Sequence, residues 1–283
     1  MDPSPTERTT GSRLWLFFIL AFGISWAFWL AAVALNISLL TPAGRALEIA
    51  GNFGPFIAAL VTVATAQGRD GLRDLWQRLT AWRLPAGITL TALLLPFILM
   101  GAALAVNLAL GGSVQFRGLG VLLALIPIFL RSFFIAGGLN EETGWRGVAL
   151  PRLLERFTPM RASLLLGLLW GLWHLPLYFF PDSGQSDMLR DGGSFPFLFG
   201  MFIVWAMGLS ILFTWLHIKA GGSLWIVILF HAMIDTAAWL PSFPGIQAPM
   251  ASMLYGAFTW VAAVIVARAF NPVLKMIPRN IRS

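Results

Sequence analysis

Two adjacent carboxylates, Glu141 and Glu142, precede Arg146 in the stretch Asn140-Glu141-Glu142-Thr143-Gly144-Trp145-Arg146, and the chain around them is nearly all apolar. Asp and Glu together number only 12 in 283 residues, so a side-by-side pair calls for a reason. Ionisable groups inside a membrane segment are costly and mark reaction sites, proton relays or ion paths. Three further groups of this kind follow: His174, at the end of Trp170-Gly171-Leu172-Trp173-His174, and His231 with Asp235 in His231-Ala232-Met233-Ile234-Asp235. Carboxylates and imidazoles together supply what hydrolysis needs, a base to take a proton from water and a donor to hold the developing oxyanion. The reading that joins them is a hydrolytic site within the bilayer.

Spacing sharpens that reading. Glu142 and Arg146 stand four apart with the acid first, which places them on one helix face as an ion pair. Glu141 points elsewhere, lacks that neutralising partner and is the candidate general base. His231 and Asp235 are also four apart, so Asp235 is expected to orient the imidazole and set its tautomer. Each feature alone has a plain structural explanation: a buried salt bridge, or a histidine bonded to a neighbouring helix. His217, beside Lys219 at a helix end, reads as interfacial. Depth is what ties the set together. At helical rise, Glu141 lies roughly 16 Å from Arg152, His174 roughly 20 Å from Arg161, and His231 roughly 18 Å from Lys219. Three segments thus bring polar groups to one level below the same basic face.

Those segments belong to a membrane protein. The chain is 58% hydrophobic and 11% charged, against roughly 25% charged in soluble domains. The expectation is an all-α membrane protein, a polytopic bundle of about eight transmembrane helices with one amphipathic surface helix, forming a single integral domain over 1–283. The spans are Leu14 to Leu35, Leu47 to Ala66, Pro85 to Leu110, the run from Phe116, Ser163 to Phe180, Phe195 to Leu216, Ser223 to Leu240 and Met250 to Phe270. Between the second and third, Gln67 to Leu84 alternates Arg69, Arg73, Arg78 and Arg83 with Leu72, Leu75, Trp76, Leu79 and Trp82, the pattern of a helix lying on a surface. Phe116 to Arg152 is too long for one straight span and must either kink, at Pro127 or Gly137-Gly138, or re-enter. The net charge of +7 comes from basic residues at the ends of apolar runs, a pattern that suits anionic lipid and not nucleic acid. Most of them fall on the side of the termini, which puts both termini in the cytoplasm. Cysteine is absent, which removes disulfides, thiol nucleophiles and thiolate ligands.

In order and separation, the three motifs resemble those of the type II CAAX prenyl endopeptidases and their prokaryotic relatives, the CPBP intramembrane peptidases, which include bacteriocin-processing members. That family carries Glu-Glu-x-x-x-Arg, then an aromatic-x-x-x-His, then His-x-x-x-Asn or Asp, and the resemblance covers roughly Arg131 to Trp239. It implies an intramembrane endopeptidase that cleaves a membrane-associated, hydrophobic or lipidated peptide near the cytoplasmic side of the bilayer, and the Ala-, Leu-, Gly- and Arg-rich composition points to a prokaryotic cell membrane. It implies that Glu141 activates water with His174, that His231 helps hold the oxyanion, and that Glu142 and Arg146 brace the site. Two positions depart from the pattern: Trp170 stands where Phe is usual, a change in packing, and Asp235 where the prenyl endopeptidases usually have Asn. An ionised carboxylate cannot donate to an oxyanion, so Asp235 suits orientation of His231 or metal binding better. The resemblance leaves a Zn²⁺ mechanism, with His174 and His231 as ligands, and a metal-free glutamate mechanism equally open; no His-Glu-x-x-His motif is present. Two rival functions use the same residues: a multi-span transporter or channel, for which no inverted repeat is found, and a non-catalytic immunity or scaffold protein.

Overall fold

Apolar segments in lipid must satisfy their backbone hydrogen bonds internally, and the described residues do so with helices and turns. The computed structural model describes residues 5–112, 120–239 and 248–270. In order these are α1 (Pro5–Ala34), α2 (Pro42–Asn52), α3 (Gly54–Leu79), α4 (Ala86–Ala109), α5 (Gly120–Phe134), α6 (Gly138–Gly144), a π-helical turn (Trp145–Ala149), α7 (Leu150–Leu154), α8 (Pro159–Trp173), a 3₁₀ turn (Leu175–Tyr178), α9 (Gly184–Arg190), α10 (Phe195–Lys219), α11 (Leu224–Ala238) and α12 (Ala248–Ala267). The all-helical polytopic bundle expected from sequence is the fold observed.

Among the described residues, five helical stretches are long and apolar enough to cross a membrane: Arg13–Ala34, Pro42–Leu79, Ala86–Ala109, Leu123–Leu154 and Phe195–Lys219. The other expected spans are shorter helices. α8 and α11 have 15 residues each, roughly 22 Å at helical rise. α8 stops at Trp173 because Pro176 lacks the donor that an α-helix needs, and the chain continues as the 3₁₀ turn. α11 is buried on almost every face, so it faces protein more than lipid. The loop expected from Pro241 onward falls largely outside the described residues, as does the basic tail with Lys275, Arg279 and Arg282.

Two kinks have local causes. The span expected over Leu47 to Ala66 breaks at Phe53, where Pro55 takes the first turn of α3. The surface helix does not stand apart: it is the second half of α3, set off by Gly68 at φ 62°, ψ −143°. It ends at Leu79, short of the expected Leu84. Its inner face carries buried Gly71 and Leu75, its outer face exposed Trp76, and Arg78 pairs with Asp74 at 2.8 Å while donating to the Gly147 carbonyl at 3.1 Å. The long segment from Phe116 is a broken helix: α5 ends at Phe134 and α6 starts after Gly137, at φ 129°.

Three contacts fix the elements that bear the motifs. On α8, Gly167 lies so near α10 that a Cβ there would be 2.6 Å from Met207 Cα, so only glycine permits this crossing. Trp173 packs on Trp29 of α1 at 4.6 Å between ring centroids and on Trp145 of the π turn at 5.8 Å. Outside the bundle, the Ser38 hydroxyl donates to Asp182, and Arg190 pairs with Asp182 at 2.8 Å. These two donors hold the Asp182 carboxyl below the usual carboxylate range and tie the α1–α2 turn to the loop after α8.

The Gly68 hinge yields a prediction. A Cβ at Gly68 meets nothing within 4 Å, so Gly68→Ala is opposed by backbone conformation alone. It should lower unfolding stability in detergent by about 1–3 kcal/mol, whereas Gly87→Ala, in a helix with equally open space, should leave stability equal or higher.

Candidate active site

The site begins at the break between α5 and α6. Asn140 closes it: its Oδ1 accepts from the Gly137 N–H at 2.9 Å and its Nδ2 donates to the Ile135 carbonyl at 2.9 Å. The following turn is thereby fixed, and Glu141, Glu142, Thr143 and Arg146 are all buried. Gly137 is required in the same place. A Cβ on it would lie 2.7 Å from His231 Nε2 and 3.0 Å from Asp235 Oδ2.

Glu142 and Arg146 form the expected pair, at 2.9 Å with both side chains fully buried. The same oxygen, Oε1, also accepts from His231 Nδ1 at 2.7 Å. A carboxylate only accepts, so Nδ1 carries a proton. The guanidinium is sandwiched further by rings, 4.0 Å from the centroid of Phe213 and 5.0 Å from that of Trp170. The π-helical turn carries Arg146; such turns recur at functional sites.

Asp235 departs from expectation. Its Oδ2 is 3.8 Å from His231 Nε2, outside hydrogen-bond range, and it accepts instead from the Ser132 hydroxyl. The group that sets the His231 tautomer is therefore Glu142 across the helix interface. A second departure is His217, which is buried, 5% exposed, and not interfacial; Leu216 and Thr214 beside it are buried as well, so this end of α10 lies inside the bundle.

Trp170 joins the remaining groups. Its indole N–H donates to Glu141 Oε2 at 2.6 Å. Its backbone carbonyl accepts from His174 Nδ1 at 2.8 Å, which leaves Nε2 of a neutral His174 as the free acceptor. Its ring centroid lies 5.6 Å from that of His174 and 5.7 Å from that of His231. Glu141, His174 and His231, from three helical segments, therefore meet around one indole, with Glu142 bonded to His231 Nδ1 and to Arg146 and Asp235 3.8 Å from His231 Nε2. Among the described residues no three His, Asp or Glu side chains gather as a metal-holding group. The His174 and His231 pair does not by itself make a complete ligand set.

Residues 123–237 match the family model described as Type II CAAX prenyl endopeptidase Rce1-like. Over this segment the chain is similar to that family. The Rce1-like segment runs from α5 to the end of α11 and contains all three motifs. The chain is also similar to a protein named CAAX prenyl protease 2 from Methanococcus maripaludis, 28% identical over 231 residues that cover 78% of this chain and 82% of the relative. The matched family is one of endopeptidases, and the long apolar helices of this chain fit an integral membrane protein.

Sequence reasoning passed over three contributors. Trp170 was read as packing, although an indole differs from a phenyl ring by one donor. Asn140 adjoins the glutamates, and its role shows only once the helix break is known. Ser132 carried no signal, because its partner Asp235 is 103 residues away.

Gly137→Ala tests the crowding at the break. Its Cβ must displace His231 or Asp235, so it should lower hydrolytic activity at least about tenfold and stability by about 1–3 kcal/mol. An activity assay and an unfolding curve on the same preparation read both.

Proposed function

We propose that this chain is an intramembrane endopeptidase in which Glu141 and His174 activate water against a peptide bond of a membrane-associated, hydrophobic or lipidated peptide. The observation that carries the reading is the meeting of Glu141, His174 and His231 around Trp170. The similarity to the CAAX prenyl protease 2 of Methanococcus maripaludis supports a prenyl-bearing peptide as one substrate class.

In this mechanism Glu141 takes a proton from water as the oxygen attacks the scissile carbonyl, with His174 Nε2 accepting a hydrogen bond from the same water. The carbonyl oxygen becomes an oxyanion, and His231, with a proton on Nε2, donates to it. The C–N bond then breaks, and the proton held by Glu141 passes to the leaving amine. Glu142 and Arg146 do not touch the reacting atoms; they hold His231. Asp235, as a carboxylate, takes no oxyanion role, and its distance from Nε2 fits a group that offsets the charge of a protonated His231. The distribution of arginine supports cytoplasmic placement of both termini, with the site sunk beneath that face.

The test is cleavage of hydrophobic and prenylated fluorogenic peptides by purified protein in liposomes. Glu141→Ala and His174→Ala should each lower turnover by about a hundredfold or more while the proteins keep the wild-type elution volume and helical spectrum. Full turnover by Glu141→Ala overturns the assignment.

A further inference from the structure

Two glutamates that are neighbours in sequence have different partners in the fold. Glu142 takes the cation, Arg146. Glu141 takes a neutral donor, the Trp170 indole, and no other protein donor to Glu141 is seen among the described residues. Yet the Arg146 guanidinium, paired with Glu142, also lies over the Trp170 ring that holds Glu141. A glutamate so placed, buried and free to turn, would swing toward the guanidinium and share it.

We propose that Trp170 is a positioning residue whose indole N–H holds Glu141 Oε2 away from Arg146 and leaves Oε1 to face the water. The inference rests on the reading of Glu141 as the base. Indole nitrogen donates and never accepts, so the direction of this bond is unambiguous. At 2.6 Å it is at the short end of what a charged acceptor allows. The ring itself cannot easily turn: it is 4% exposed and packs edge-on against Phe213 at 5.9 Å, besides the two imidazoles. A rigid donor thus sets the rotamer of a base that has no other fixed partner. The cation is reserved for the glutamate that braces the site, and the base keeps an unpaired oxygen.

Trp170→Phe separates this role from packing, because it keeps a ring in the same place and removes only the donor. In the liposome assay it should lower kcat about tenfold with KM within about twofold, as expected for an interaction that aligns the base without binding substrate; its melting temperature should stay near that of the wild type. A second readout does not depend on turnover. In ¹⁵N-tryptophan-labelled protein, the indole N–H resonance missing from Trp170→Phe identifies Trp170, and Glu141→Gln should shift it upfield while the other indole signals hold still. Wild-type kcat in Trp170→Phe, or an indole resonance indifferent to Glu141→Gln, overturns the proposal. A retained resonance shift together with an active Glu141→Ala would instead point to a base other than Glu141, since the resonance reports the bond whatever the reaction. If Trp170→Phe fails to fold, the wild-type and Glu141→Gln spectra still decide, because the absence of any moving indole resonance between them overturns the proposal.

Discussion

Everything in this site depends on one buried carboxylate oxygen. Oε1 of Glu142 accepts from Arg146 on its own helical segment and from His231 on α11. That shared oxygen joins the first motif to the third across 89 residues of sequence. The arrangement says little about net stability. Replacing a buried ion pair by apolar groups is often neutral or favourable, whereas removing one member strands the other and costs about 3–5 kcal/mol. What the bridge provides is a specific link: Glu142 Oε1 ties Arg146 on its own segment to His231 on α11 and so helps fix how α6 packs on α11.

The backbone is shaped to deliver that bridge. The break at Gly137, closed by Asn140, resets the phase of α6 so that both glutamates are buried. The π-helical turn then carries Arg146 back onto Glu142. α8 supplies the second motif by approaching α10 at Gly167, so that the Trp170 indole reaches Glu141. Local irregularity at membrane depth is tolerated here because protein surrounds it.

Much of this was legible in sequence, and the reasons for the remainder are physical. Scarce charge in an apolar chain named Glu141, Glu142, Arg146, His174, His231 and Asp235, and helical rise placed three of them at one depth, because both arguments need only composition and a straight helix. Helix ends were less legible where proline or glycine acts: Pro176 shortens α8, and Gly68 folds the surface helix onto the end of α3. Side-chain partners across helices were not legible at all. The spacing of His231 and Asp235 suggested a contact along α11, but the nearer acceptor came from α6. His217 looked interfacial beside Lys219, yet the end of α10 is enclosed by neighbours that no local window reveals. The donor function of Trp170 needed coordinates for the same reason.

The central claim is that Glu142 and His231 are energetically coupled through the bond that unites their helices. A double-mutant cycle of Glu142→Gln and His231→Phe, read by reversible unfolding in bicelles, measures it directly. A coupling of about 1–3 kcal/mol is the result this arrangement requires, and additive effects within about 0.5 kcal/mol would contradict it.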